Sequence, residues 1–220
     1  DVVSLQEKLF SLADKILIKT SPLLDIHQGI AELKNVSEVY VVAVKNEVKE
    51  LLFLCEKNCE QEATIHAVNI VYENNPNVSS YSISNERELI IPFSEPLQYL
   101  YEPNAAIQKA GAFKTIAKTY NITKVHPNTH LYTANEIIPN FPGRIFKIEA
   151  LVKPDKKELL SYFPEGKANI TARNYPLTPE ALKKKTGLKD GGEKFLIGFS
   201  GKKRKFLVVG ERVKLVVDSY

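Results

Sequence analysis

At 220 residues, with 44% hydrophobic and 25% charged residues, the chain has the make-up of a folded soluble protein long enough for two or three compact units. No run has the length of a membrane-spanning helix, and the start, DVVSLQEKLF, lacks a basic stretch leading into an apolar core, so neither a membrane span nor a secretory leader is expected and the expected location is cytoplasmic. Cys55 and Cys59 are too few for a disulfide framework, and the net charge of +4 is modest.

That modest total hides a split. Up to Gln98 the chain carries 8 Lys and Arg against 15 Asp and Glu, a net of −7; from Tyr99 onward the counts are 22 against 11, a net of +11. An acidic half joined to a strongly basic half points the second half toward a polyanion. An acidic membrane surface is the rival target, but no segment joins a large apolar face to a basic one.

In chain order, Val2 to Asp14 reads as a helix with Leu5, Leu9 and Leu12 on one face and a Ser4–Glu7 capping box. Ile16-Leu17-Ile18 is a short, wholly apolar run that suits a strand buried on both faces in a parallel sheet. A second helix follows, with Ile26, Ile30 and Leu33 on one stripe; Thr20 and Asp25 before it either line a ligand mouth or simply order the turn. Val39–Val44 and Glu50–Leu54 flank the charged turn Lys45–Lys49 as a hairpin. Thr64–Val71 and Glu88–Phe93 are further strand candidates around an Asn- and Ser-rich loop from Glu73 to Asn85. Pro92, Pro96 and Pro103 punctuate the next stretch, and the charge sign changes there, which places a domain boundary near Gln98.

Beyond it, Tyr99–Pro103 precedes a helix carrying Ile107, Ala110, Gly111 and Ile116, and the unit up to about residue 145 has too little core to stand alone. Arg144–Leu151 reads as a strand and Lys156–Phe163 as a helix with Leu159, Leu160 and Phe163 facing in. Then comes KANITARNYPLTPEALKKK, from Lys167 to Lys185. Alternation makes its first part a strand with Arg173 on the wet face, and Thr178-Pro179 starts a helix that runs into Lys183, Lys184 and Lys185. An arginine, a helix N-terminus and three lysines form either a cradle for a phosphodiester backbone or an ordinary solvated strand and a lysine-rich helix end. Asp190-Gly191-Gly192 reads as a turn into strand Phe195–Phe199, and a closing hairpin to Phe206–Val209 carries Lys202, Lys203, Arg204 and Lys205 at its tip. With Arg144, these cations make up the expected RNA contacts.

Other constellations are thinner. Cys55 and Cys59 with His126 and His130 have spacings that zinc permits, yet Pro127 keeps the two histidines off one helical face, and no metal is expected. His27 and His66 lack a partnering carboxylate and nucleophile at telling spacing, so no catalytic triad is read. Tyr99, Tyr101 and Tyr132 are expected as half-buried anchors, with Tyr175 left as the candidate to stack on an unpaired base.

Segments ILIKTSPLLDI (16–26), NVSEVYVVAVKNEVKELLFL (35–54), YLYEPNAAIQKAGAF (99–113), HLYT with NFPGRIF (130–146), NITARNYPLTPEAL (169–182) and KDGGEKFL (189–196) resemble the class I S-adenosylmethionine-dependent methyltransferases that carry a ferredoxin-like unit and a THUMP-like domain at the carboxyl end. The resemblance implies a mixed α/β and α+β chain: residues 1–98 as the C-terminal half of a Rossmann-like methyltransferase sheet, 99–145 as the ferredoxin-like unit and 146–220 as the THUMP-like domain. THUMP domains bind RNA, most often tRNA, so the implied partners are structured RNA (tRNA or rRNA) and the N-terminal half of the parent methyltransferase domain. The family's cofactor-binding glycine motif and its acidic, proline-containing catalytic loop would lie upstream of Asp1. S-adenosylmethionine is therefore expected in the parent and not on this chain alone, and no catalytic residue carries over. A non-catalytic interaction module docking through the acidic half is the alternative.

Overall fold

The computed structural model describes residues 1–71 and 76–214, which divide into two compact units. The first comprises Asp1–Ile90 and Asn104–Ile116; the second comprises Ile91–Pro103 and the described part of Ala117–Tyr220.

In the first unit, α1 (Val2–Leu12), β1 (Lys15–Thr20), α2 (Ile26–Glu32), β2 (Val36–Val44), β3 (Glu47–Glu56), β4 (Thr64–Ile70), β5 (Asn77–Ser82) and α3 (Ile83–Glu88) follow one another. Their sheet runs β1-β3-β2-β4-β5, antiparallel except for the β2–β4 pair. The expected hairpin turn is tighter than the charge pattern suggested: Lys45 and Asn46 alone make it, at φ of 49° and 66°, the left-handed pair whose twist matches the flanking strands. Period-two alternation buries Val39, Val41 and Ala43 against Leu51, Phe53 and Cys55 of β3 and Ile65 and Ala67 of β4. Helix α4 (Ala105–Ala110) packs on β2 and β4, so this part of the short, core-poor segment borrows the first unit's core.

Several expectations change here. The N-cap of α1 is Asp1, which accepts from the Val3 amide, in place of the Ser4–Glu7 box. Its buried residue is Gln6, while Leu12 is 78% exposed. Gln6 is held in place by the backbone of Lys34, donating to its carbonyl and accepting from its amide at 2.8 Å, so a satisfied amide fills the place a leucine was expected to take. β1 is an edge strand with an antiparallel neighbour, and of the apolar run Ile18 alone is buried while Leu17, on the other face, is 61% exposed. The expected loop from Glu73 to Asn85 contains β5 and the start of α3, with Glu73–Asn75 outside the described residues. Glu88–Phe93 is not a continuous strand: Glu88 ends α3, whose N-cap is the Ser82 hydroxyl accepting from the Asn85 amide, and of the rest Phe93 alone forms a bridge, with Lys124.

The second unit holds β6 (Tyr99–Pro103), β7 (Thr123–His126), β8 (Thr129–Ala134), β9 (Gly143–Leu151), α6 (Lys156–Tyr162), β10 (Lys167–Arg173), α7 (Pro179–Thr186), β11 (Lys189–Ser200) and β12 (Lys205–Arg212). The single helix expected after Tyr99–Pro103 is two, α4 and α5 (Phe113–Thr119), because Gly111 at φ 85° gives α4 a left-handed C-cap. The seven strands lie in the order β10-β11-β12-β9-β6-β8-β7. β10 and β11 are parallel and joined through α7, a crossover that the alternation alone did not reveal. Asp190-Gly191-Gly192 is no turn. β11 runs through it, and the two glycines, at φ of 122° and 77°, lie opposite a register shift between Ala168 and Asn169.

One face of this sheet buries Ala168, Ile170, Leu196, Leu207 and Val209 under Leu159 and Phe163 of the α6 segment and Leu182 of α7; Leu160, expected inside, is 41% exposed. On the other face Ile197, Phe199, Phe206 and Val208 meet Leu100, Val125, Leu131 and Phe146. The sheet coils on itself around this second core, so the end of β10 reaches the start of β8, where the Asn174 amide donates to Thr129 Oγ1 at 3.1 Å.

Candidate nucleic-acid interface

The coil brings three charged side chains from three strands together. Glu102, at the end of β6, has a side chain only 5% exposed. Arg144, its cross-strand partner on β9, donates Nε (2.8 Å) and Nη2 to Glu102 Oε2. Arg173, last residue of β10, donates Nε to Oε1 at 2.7 Å. Arg173 thus lies on the face away from the helices, as alternation requires, but it is ion-paired instead of standing free in solvent. Asn174 follows at φ 49°, a conformation asparagine tolerates, and its carbonyl accepts from the Ser200 hydroxyl at 2.5 Å. Thr129 also donates to the Ser200 carbonyl at 2.8 Å, so the ends of β10 and β11 and the start of β8 form one polar lattice.

The β11–β12 turn leaves this lattice directly. Lys202, Lys203, Arg204 and Lys205 are exposed. Arg204 pairs with Glu95 at 2.7 Å and lies over the Phe206 ring, and Lys202 lies over Phe93. Lys183, Lys184 and Lys185 are elsewhere: α7 runs back along the sheet and ends beside the start of β11, where Lys189 pairs with Lys167. Six residues of β10 separate that end from Arg173, about 20 Å of strand. Lys183 there donates to Asp190 at 2.5 Å. The cations expected to contact RNA therefore fall into two groups, one around Arg144, Arg173 and the 202–205 turn and one at the end of α7. The amides at the start of α7 are also in use: Ala181 donates to Thr178 Oγ1 at 3.2 Å, and the Glu180 carboxyl is held below its ordinary range by its own backbone amide and the Thr178 hydroxyl. Sequence reading missed Glu102, whose partners lie 42 and 71 positions away.

Tyr175 is not a projecting base platform; its ring packs against Gly198 on the helix-covered core, and burial pushes its hydroxyl pKa up. Tyr101 and Tyr132 are fully buried. Asp25 caps α2 by accepting from the Gln28 amide at 3.0 Å. His126 accepts from the Asn128 amide at 2.9 Å and closes the β7–β8 turn, and burial together with nearby Lys124 pushes His130 down to about 4. Among the described residues no group of three or more His, Cys, Asp or Glu gathers to hold a metal.

The two thiols differ sharply. Cys55 is fully buried with the Gln6 amide donating to its sulfur at 3.6 Å, and burial pushes its thiol up to about 11, whereas Cys59 is half-exposed. A thiol titration at mildly alkaline pH is expected to find one reactive cysteine in the native chain and two after denaturation. The fold prefers the neutral Cys55 thiol, so its contribution to stability is complete below the unfolded thiol's pKa of roughly 8.5 and is lost as pH rises toward the folded value. Two reactive thiols in the native chain would contradict this placement.

Comparison with known proteins first gives the class. Residues 99–142 match a model described as a ferredoxin-like domain, and residues 143–212 match one described as THUMP domain-like. The particular likeness is to the crystal structure of a "putative methyltransferase" from Porphyromonas gingivalis W83: TM-score 0.89 and 35% identity, covering 97% of this chain. The chain spans 55% of that protein. It resembles the carboxyl-terminal portion of a methyltransferase. No curated protein matches it.

The fit to S-adenosylmethionine is poor. The first glycine of the chain, Gly29, lies inside α2, where a Cβ would stand 2.5 Å from the Phe53 ring; it lets a helix approach the sheet and cradles no ligand. β1 leads into Ser21-Pro22-Leu23, with no glycine-rich turn. The described residues do not form the cofactor's site. No helix among the described residues is long and apolar enough to cross a membrane.

Proposed function

We propose that this chain is the RNA-binding carboxyl-terminal portion of an RNA methyltransferase that uses S-adenosylmethionine. Its THUMP-like segment holds structured RNA, tRNA or rRNA, and presents a base to a catalytic part supplied by the rest of a cytoplasmic parent. The observation that carries the reading is the coincidence of the THUMP domain-like match at residues 143–212 with the strongly basic half of the chain, two of whose arginines, Arg144 and Arg173, meet at Glu102 where the coiled sheet closes. In this reading residues 1–98 are the closing half of a Rossmann-like sheet. The edge of β1 that has no strand partner among the described residues and the exposed Leu5, Leu12 and Leu17 support that, since such an edge suits continuation by further strands of the parent. The same surface favours the second reading, a docking module without an RNA role.

A gel-shift titration with a folded tRNA decides between them. Binding is expected to weaken by roughly 10- to 100-fold between about 50 and 200 mM salt, because each phosphate contact releases counterions. Alanine at Arg173, at Lys183, Lys184 and Lys185, or at Lys202, Lys203 and Lys205 should weaken all RNA sequences alike, each set lowering the salt slope. No binding at low salt would remove the RNA reading. A protein partner recovered after nuclease treatment, indifferent to these lysines, would favour the docking module.

A further inference from the structure

We propose that Glu102 is a positioning residue: its buried carboxylate fixes the guanidiniums of Arg144 and Arg173 side by side as a fork for one RNA phosphate. The inference rests on the RNA-binding reading and names the contact at which the strand is gripped.

A carboxylate as buried as Glu102 needs a cation, and one arginine would neutralise it. Two are present, so the cluster keeps one unit of positive charge. Each guanidinium carries five N–H donors in a rigid plane. Arg144 spends its Nε and Nη2 edge on Glu102 and rests over the Phe146 ring, with its centre 5.6 Å from the ring centroid. Arg173 spends Nε on Glu102 and Nη1 on the Ala172 carbonyl at 3.1 Å. Among the described residues no protein acceptor takes Nη1 of Arg144 or Nη2 of Arg173. The two side chains remain 32% and 39% exposed, so the cluster opens to solvent on the arginine side while its acid is sealed beneath. Two guanidiniums this close would repel each other without the carboxylate between them; with it they are held at fixed positions, and a phosphate meets donors already aligned. The lattice of Asn174, Thr129 and Ser200 seats the 202–205 turn next to the fork, so the surrounding field favours an anion.

The decisive test reads a sign. Glu102→Gln removes a negative charge from a surface that binds a polyanion, so a residue that only balances charge would, when replaced, leave RNA affinity unchanged or raised. A positioning residue gives the opposite: about 10-fold weaker tRNA binding and a salt slope lower by about 1, as one phosphate contact is lost. Arg144→Lys and Arg173→Lys preserve net charge but lose the planar fork, and each is expected to weaken binding by about 10-fold with the thermal midpoint close to wild type. These two variants decide the question if Glu102→Gln does not fold. Unchanged or tighter binding by folded Glu102→Gln, or by both lysine variants, overturns the inference and leaves the RNA-binding reading standing. Absence of binding by the wild-type 220-residue chain overturns both.

Discussion

Gly143→Ala is expected to lower the stability of the second unit by roughly 3 kcal/mol, seen as a large drop in the urea midpoint followed by circular dichroism. A Cβ on Gly143 would stand 2.1 Å from the Glu102 carbonyl oxygen, 2.9 Å from its carbon and 2.7 Å from the Phe141 ring. Two of those atoms are backbone, and the backbone cannot retreat: Gly143 sits opposite Pro103, and the next residues of β9 and β6 are paired from Arg144 to Lys147. Relief requires the two strands to part at the point where Arg144 reaches Glu102. Gly166→Ala is the control. Gly166 has a φ of 67° but open space around it, so it should cost only the left-handed backbone penalty, about 1 kcal/mol. Equal midpoints for wild type and Gly143→Ala would show that β6 and β9 do not approach as closely as described.

The second large effect is expected from Phe199→Ala, at about 3–4 kcal/mol. Phe199 is fully buried, stacks on Phe206 with ring centroids 5.5 Å apart, and belongs to the core around which the sheet coils. Its strand partner in β10 is Arg173, so the cavity would open beneath the place where β10 meets Glu102. Phe195→Ala, four residues earlier on the same face and only partly buried, should cost clearly less. If the two substitutions cost the same, packing inside the coil is not what holds that end of β10.

Much of the fold was legible because it depends on neighbours in sequence. The β2–β3 and β11–β12 hairpins, the cap of α7 at Thr178 and the alternating face of β10 all rest on spacings of a few residues. Errors fell where a local choice competed with a distant one. Gln6 is buried because Lys34 satisfies its amide, and a sequence scan scores it as polar surface. Ser82 starts a helix inside the expected Asn- and Ser-rich loop, and the apolar run Leu89-Ile90-Ile91 beyond its end is neither helix nor strand. Asp190-Gly191-Gly192 continues a strand because β10 offers an irregular register there.

The candidate site divides the same way. The sequence by itself determined that the basic residues lie in the second half, that Arg173 faces away from the helices, and that four cations cap the final hairpin, since charge and alternation are properties of the chain order. Only the tertiary structure decided which cations are neighbours. Pairing of β6 with β9 set Arg144 beside Glu102 and coiling of the sheet brought Arg173 to the same buried acid, while the parallel crossover carried Lys183–Lys185 to the other end of β10. The reason is physical: charged groups far apart in sequence have no local preference for one another, and their meeting is set by how apolar faces elsewhere pack.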